Sequence, residues 1–443
     1  MSSTALEFPE RLLPGRLARS DLGGFQRAQY LYRLADLYEK HNGELAKLEA
    51  VSMGRPVGTY REGTACASFL RYIAGQATNA RGETSLQTAG YMAVTLRAPY
   101  GVTAAITPWN APVTMMTFKI APAMAAGNTI VVKTSEKAPL TALYIARLAK
   151  EAGFPAGVLN ILSGFGQPCG EALASHPKVR KISFTGSVRG GRAVKLAAAQ
   201  SNMKHVTLEL GGKSPMIVFE DTDLDKAAQA AATSILLNSG QACVASSRVY
   251  VQASIADSFT KKLVAAIRAS GTNPAESRDP LAPATKRGPQ GDKAQFDNIS
   301  GFLEEAKQAN VQFLTGGQAE EGPGYYIEPT VIFEPAEDSR VMREEIFGPV
   351  QCLCTFQDEA DVLRQANDSE FGLYASVFTR DIFRALRFAK YFQAGNVGVN
   401  VTSPFMTHDM PFGGVKQSGE GKELGMHAVE QWTELKTVYF AMS

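Results

Sequence analysis

From residue 102 onward, short apolar runs alternate with segments of helical periodicity, and glycine-rich joints separate them. Residues 102–106 read as a strand, 129–132 as a buried strand, 140–152 as a helix, 158–162 as a strand, 171–174 as the opening of a helix and 181–184 as a strand again. Of these runs, 129–132 in particular reads as a strand covered on both faces. Joined through helices the strands run parallel, so the expected fold class is α/β with a doubly wound, mostly parallel sheet.

The pattern restarts after Gly212. Residues 216–219 read as a strand, 223–237 as an Ala-rich helix with Asp223 at its start, and 249–251, 311–314 and 350–356 as further strands. A second α/β unit is therefore expected, with a boundary near 210. Upstream, residues 24–78 read as helices, because Leu31, Leu34, Leu37 and Tyr38 recur at helical spacing, and so do Leu45, Leu48 and Val51. Residues 89–97 read as a strand before the turn Pro99-Tyr100-Gly101. The terminal stretch 436–442 reads as an exposed strand that a partner subunit could pair with.

A chain of 443 residues is long enough for about three domains. Its 45% hydrophobic and 20% charged content supports a sizeable core, and a net charge of +2 gives no reason to expect nucleic acid or an anionic membrane as partner. Five scattered cysteines are too few for a disulfide scaffold and wrongly spaced for zinc, and the five histidines show no ligand spacing, so no metal is expected. Cys352 and Cys354 alternate within an apolar run and read as inert core. Without a signal core or an apolar run long enough to span a bilayer, the chain reads as soluble and cytoplasmic.

Chemistry concentrates in a few segments. Glu209 lies in Leu208-Glu209-Leu210-Gly211-Gly212-Lys213, and Cys243 closes Asn238-Ser239-Gly240-Gln241-Ala242-Cys243. A thiol and a carboxylate beside glycines suggest a nucleophile and a base, since a thiolate attacks carbon and a carboxylate activates water against the resulting thioester. In Pro108-Trp109-Asn110-Ala111-Pro112, two prolines fix the backbone around Asn110, whose amide is then a preset oxyanion donor. The same run fits a turn with a helix cap. Lys133 and Glu136 just past a strand suit the two hydroxyls of an adenosine ribose, although a solvated loop would read alike. Gly186-Ser187 before a helix at 192–199 suits a pyrophosphate, and a plain helix start fits it equally.

Together these segments resemble the NAD(P)-dependent aldehyde dehydrogenase superfamily from about Phe25 to the C-terminus. The resemblance is carried by Thr107-Pro108-Trp109-Asn110, Val132-Lys133-Thr134-Ser135-Glu136, Phe184-Thr185-Gly186-Ser187, Leu208-Glu209-Leu210-Gly211-Gly212-Lys213-Ser214-Pro215 and Gly240-Gln241-Ala242-Cys243. Glu344-Glu345-Ile346-Phe347-Gly348-Pro349-Val350 and Pro411-Phe412-Gly413-Gly414-Val415-Lys416-Gln417-Ser418-Gly419 complete it.

The resemblance implies a Rossmann-type cofactor domain (1–80 and 100–211), an α/β catalytic domain (212–432) and a small β oligomerisation element (81–99 and 433–443). It implies Cys243 as nucleophile, Glu209 as general base, Asn110 beside the Cys243 amide at the oxyanion, and Lys119 and Glu423 as a proton relay. For the cofactor it implies Thr107, Trp109, Lys133, Ser135, Glu136, Gly186, Ser187, Glu345 and Phe347, and for the substrate pocket Ala111, Met115, Phe118, Ala242, Val244, Phe405 and Phe412. A carboxylate at a ribose 2′-hydroxyl repels a 2′-phosphate, so Glu136 makes NAD the expected cofactor rather than NADP.

An apolar pocket with no Arg or Lys except Lys119 suggests a neutral aliphatic or aromatic aldehyde; Asp409 keeps an amino-aldehyde open, and a semialdehyde is the other alternative. Family members usually begin several dozen residues earlier, so the N-terminal edge of the cofactor domain is expected to be shortened. Arg189 departs from the family pattern and is expected to face solvent. A homodimer or homotetramer is implied. Rival readings are a CoA-acylating dehydrogenase, which the base at Glu209 opposes, a thiol esterase and a non-catalytic protein on the same fold.

Overall fold

The computed structural model describes residues 22–271, 278–403 and 407–442. Its strands in chain order are β1 (Thr84–Ser85), β2 (Tyr91–Pro99), β3 (Val102–Ile106), β4 (Thr129–Thr134), β5 (Leu159–Ser163), β6 (Lys181–Thr185), β7 (His205–Glu209) and β8 (Pro215–Val218). There follow β9 (Arg248–Gln252), β10 (Gln312–Thr315), β11 (Thr330–Phe333), β12 (Val350–Phe356), β13 (Tyr374–Phe378), β14 (Asn396–Val399), β15 (Gly419–Glu420) and β16 (Thr433–Ala441). Among the described residues they form three sheets.

The first sheet has the order β15-β7-β6-β3-β4-β5, parallel except for the short antiparallel β15. The chain leaves β3 toward β4 and β5, then returns to the other side of β3 for β6 and β7. That reversal opens a crevice between β3 and β6 at the carboxyl ends of the strands, the usual ligand position in a sheet wound both ways. The second sheet, β10-β11-β12-β9-β8-β13-β14, is parallel except for its edge strand β10. The expected α/β architecture with parallel sheets is therefore present.

Helix Pro112–Ala125 covers the first sheet and is buried along nearly its whole length. Its outer side packs on helices Gly24–Lys40 and Glu62–Gln76, whose Leu31, Leu34, Tyr38, Phe69, Leu70 and Ile73 are all fully buried. Helix Asn42–Met53 differs from the expected stripe, because Val51 is exposed and the buried face is Leu45, Ala46, Glu49, Ala50 and Met53. A buried carboxylate occupies that face because Arg55 supplies its counter-charge, which apolar periodicity cannot register.

The third sheet joins β1, β2 and β16. The expected terminal strand is present as β16, which pairs with β2 in its own chain along its full length, from Thr433↔Pro99 to Ala441↔Tyr91. Only its outer edge remains open.

Candidate active site

Residues 107–111 leave β3 and lead into helix Pro112–Ala125, where a proline in the first turn forfeits no hydrogen bond. Asn110 Nδ2 donates to the Gln241 carbonyl at 2.9 Å, and Asn238 Nδ2 donates back to the Asn110 carbonyl at 2.8 Å. An asparagine amide carries two N–H groups, so one remains to meet a substrate oxygen. Asn238, Ser239 and Gly240 stand at φ of 49°, 56° and 76°, a left-handed run that costs energy at its non-glycine members. A Cβ on Gly240 would lie 2.0 Å from the Gly348 carbonyl, so only glycine fits there. Ser239 Oγ donates to the Gly288 carbonyl at 2.6 Å and the Gly291 N–H donates to Gln241 Oε1 at 2.8 Å. This clamped loop presents Cys243.

β7 ends at Glu209, registered against Thr185 of β6 and Gly419 of β15. The chain then crosses Gly211-Gly212 into β8. A Cβ on Gly212 would stand 2.7 Å from the Cys243 carbonyl oxygen, so the thiol segment lies directly against the strand end that carries Glu209. Glu209 is only 3% exposed, and neither of its oxygens accepts a hydrogen bond from the described residues. Burial, then the Glu423 carboxylate, raises its pKa to about 8, against the pull of Lys119 and Lys422. The Cys243 thiol is pushed well up by burial and then by Glu209 and Glu345, while the N–H groups of Cys243 and Val244 act the other way. Glu423 forms an ion pair with the fully buried Lys119. Its backbone exchanges hydrogen bonds with Phe412 at 2.6 and 2.7 Å.

On the crevice side, Thr107 N–H donates to the Lys133 carbonyl at 3.0 Å, and Lys133 Nζ lies 3.1 Å from Glu136 Oε2. Lys133 and Ser135 are buried, while the Glu136 side chain is 37% exposed. The helix after β6 begins at Val188, not at 192, and Ser187 Oγ caps it by accepting from the Gly190 N–H at 3.2 Å. A β-to-α joint capped by its own serine needs no longer lead-in, which glycine spacing did not reveal. Arg189 is exposed, as expected. Glu345 Oε1 accepts from the Gly212 N–H at 2.9 Å, with its pKa raised by burial to about 7. Phe347, at φ 57°, sets its ring edge-on to Trp109 with centroids 5.6 Å apart. A nicotinamide cofactor fits this arrangement. Gly211 leaves no room for a Cβ against Glu345, at 2.0 Å, so backbone and carboxylate approach closely there.

A cavity of about 120 Å³ opens beside Cys243 and Asn110, with Ala111, Met115, Phe118, Ala242, Val244 and Phe412 in its lining. At the ~10–15 Å³ one water-sized group needs, it admits roughly 8–12 heavy atoms. Phe405 lies outside the described residues. The expectation of a pocket without Arg is overturned, because Arg55 also lines the cavity. It enters from the turn after helix Asn42–Met53, where Gly54 takes φ 82°, and it is ion-paired with Glu62 and, at 3.5 Å, with Glu49. Asp409 is exposed and not among the lining residues. Thr114, Asn238 and Gln241 are further lining residues that sequence reasoning passed over. The Asn-Ser-Gly turn signal could have flagged Asn238; nothing local marks Arg55 or Thr114.

No helix among the described residues is long and apolar enough to cross a membrane. The model of the aldehyde dehydrogenase family matches residues 18–438. Retinaldehyde dehydrogenase 3 of Rattus norvegicus is 42% identical over 419 residues, covering 94% of this chain and 81% of that protein. The structure of an NAD-dependent aldehyde dehydrogenase from Sinorhizobium meliloti superposes with a TM-score of 0.92 at 36% identity, over 96% of this chain and 83% of that one. An NADP-dependent enzyme from E. coli superposes with a TM-score of 0.90 at 37% identity, over 95% and 87% of the two chains. With that coverage, the chain belongs to the aldehyde dehydrogenase family, enzymes that oxidise aldehydes with a nicotinamide cofactor.

Proposed function

We propose that Cys243 is the nucleophile, Glu209 the base and Asn110 the oxyanion donor in oxidation of a neutral aldehyde to its acid. The observation that carries this is that the Glu209 charge acts on the Cys243 thiol, whose carbonyl lies against Gly212 between β7 and β8, beside the cavity that Asn110 lines. In its ionised form Glu209, with its pKa raised to about 8, is a stronger base than an ordinary carboxylate and takes the thiol proton. The Cys243 sulfur then adds to the aldehyde carbon, and the oxygen charge that develops is met by the second N–H of Asn110 and the Cys243 amide. A bound oxidised nicotinamide supplies the acceptor for the hydride that the carbon must lose. The acyl group is left on Cys243 as a thioester. Glu209, relieved of its proton through Glu423 and Lys119, takes a proton from water, whose oxygen attacks the thioester; the acid leaves and the sulfur is freed.

Lys133 and Glu136 would hold the adenosine ribose, with Thr107, Trp109, Ser135, Gly186 and Ser187 along the crevice and Glu345 and Phe347 at the nicotinamide end. The exposed Glu136 carboxylate supports NAD over NADP, since a 2′-phosphate would meet it. We assign the first sheet to the cofactor domain, the second to the catalytic domain and the third to oligomerisation. The open edge of β16 and its exposed Leu435, Tyr439 and Phe440 favour a homodimer or homotetramer. Five free thiols accord with a reducing, cytoplasmic compartment.

NADH production by the purified chain over an aldehyde panel tests this reading. Hexanal and benzaldehyde should outpace succinic semialdehyde, and NAD should exceed NADP in kcat/KM. Faster turnover of the semialdehyde, or equal use of the two cofactors, would overturn the respective assignment.

A further inference from the structure

Arg55 is a charge set into an otherwise largely apolar substrate wall. It is 9% exposed and shares the cavity with Cys243 and Asn110. Behind it stand two carboxylates more deeply buried still, Glu62 on helix Glu62–Gln76 and Glu49 on helix Asn42–Met53. Glu49 Oε1 also accepts the Val113 N–H at 3.2 Å, so the cluster is anchored to the start of the helix that follows Asn110. Thr114, on that same helix turn, lines the cavity next to the cluster. Its hydroxyl oxygen accepts the Cys66 thiol at 3.7 Å, which leaves its own hydrogen to donate.

The charge count decides what this wall can recognise. One guanidinium faces two carboxylates already, so a third from a substrate would meet a neutral or negative cluster. A guanidinium nevertheless carries five N–H donors, more than the two carboxylates use in the contacts found. Such a wall can donate hydrogen bonds without offering net positive charge.

We infer that Arg55 and Thr114 form a polar subsite for a neutral hydrogen-bond acceptor on the substrate's tail, so that preferred aldehydes carry an ether, hydroxyl or carbonyl oxygen remote from the reacting group. This rests on Cys243 being the nucleophile in the same cavity. It sharpens a merely apolar specificity into one for oxygenated but uncharged tails.

Three aldehydes of matched shape test it: 4-methoxybenzaldehyde, its near-isostere 4-ethylbenzaldehyde and the anionic 4-carboxybenzaldehyde. With the wild-type chain and NAD, kcat/KM for the methoxy compound should exceed that for the ethyl compound by roughly tenfold, the scale of one hydrogen bond from a charged donor. The carboxylate should be the slowest of the three. Arg55→Lys, which keeps a cation between Glu49 and Glu62 but removes the planar donor fork, should bring the methoxy-to-ethyl ratio toward one. Thr114→Val should lower the same ratio and supplies the test should Arg55→Lys not fold. A wild-type ratio near one, a ratio unmoved in the folded variants, or fastest turnover of the carboxylate overturns the subsite. If none of the three aldehydes is oxidised, it is the catalytic assignment that fails.

Discussion

Replacing Glu209 by Gln keeps the size of the side chain and removes its charge, and the structure fixes what should happen at each pH. The carboxyl is 3% exposed and titrates at about 8, against an ordinary value of 4.5. A group whose pKa is raised on folding binds its proton more tightly in the native state, so its contribution to stability is fully present at acid pH and is lost as pH rises from 4.5 through 8. At 1.36 kcal/mol per pH unit, holding Glu209 ionised costs on the order of 5 kcal/mol above pH 8, of which roughly 3 is already felt at pH 7. The Gln variant escapes that cost. At about 2.1 cal/mol/K per residue for unfolding, a chain of this length should gain roughly 3–5 °C in Tm at pH 9 relative to wild type, and little at pH 5. Thermal unfolding of both proteins from pH 5 to 9 reads this directly. The same variant, lacking the base that takes first the thiol proton and then the water proton, should lower NADH production roughly 10²–10⁴-fold with no burst ahead of the steady state. A stability difference that is flat with pH, or largest in acid, would refute the buried-base argument.

Cys243→Ser should abolish NADH production while leaving the unfolding free energy within roughly 1–2 kcal/mol of wild type, since the side chain packs beside an open cavity. Gly240→Ala forces a Cβ to within 2.0 Å of Gly348 in a residue at φ 76°, so Tm and kcat should fall together, by roughly 3 kcal/mol or more in stability; a wild-type Tm would show that the loop relaxes freely. Lys119→Met leaves Glu423 half-buried without its cation, which should cost roughly 3–5 kcal/mol by denaturant unfolding. Because Lys119 also holds the Glu209 pKa down, its removal should move the acid limb of thioester hydrolysis to higher pH; an unmoved limb would separate Lys119 from the base.

The strands that build the crevice were legible because both of their faces are buried. No charged residue interrupts 102–106 or 129–132, and the structure begins β3 and β4 at those same residues. Cys243, Glu209 and Asn110 stood out because each breaks local apolar or turn chemistry without a packing reason. Glu49 and Arg55 stayed hidden for the opposite cause: they form an ion pair at 3.5 Å, and only the tertiary fold brings a helix face and a turn to the same wall. The start of the helix at Val188 was missed because Ser187 serves as its cap, and a glycine two residues on looked like loop. The pairing of β16 with β2 joins residues more than 300 positions apart, a separation at which periodicity carries no information.

The glycine pair between β7 and β8 has a consequence for how such a molecule fails. One side of it ends the sheet that carries the carboxylate, and the other begins the sheet from which the thiol loop hangs. Neither half holds a working set of groups by itself. A chain damaged or truncated so that one sheet is lost keeps a sulfhydryl or an acid, but no combination able to capture an aldehyde and then let it go. Turnover therefore reports the joining of the two halves, and partly assembled molecules should be inert rather than indiscriminately reactive.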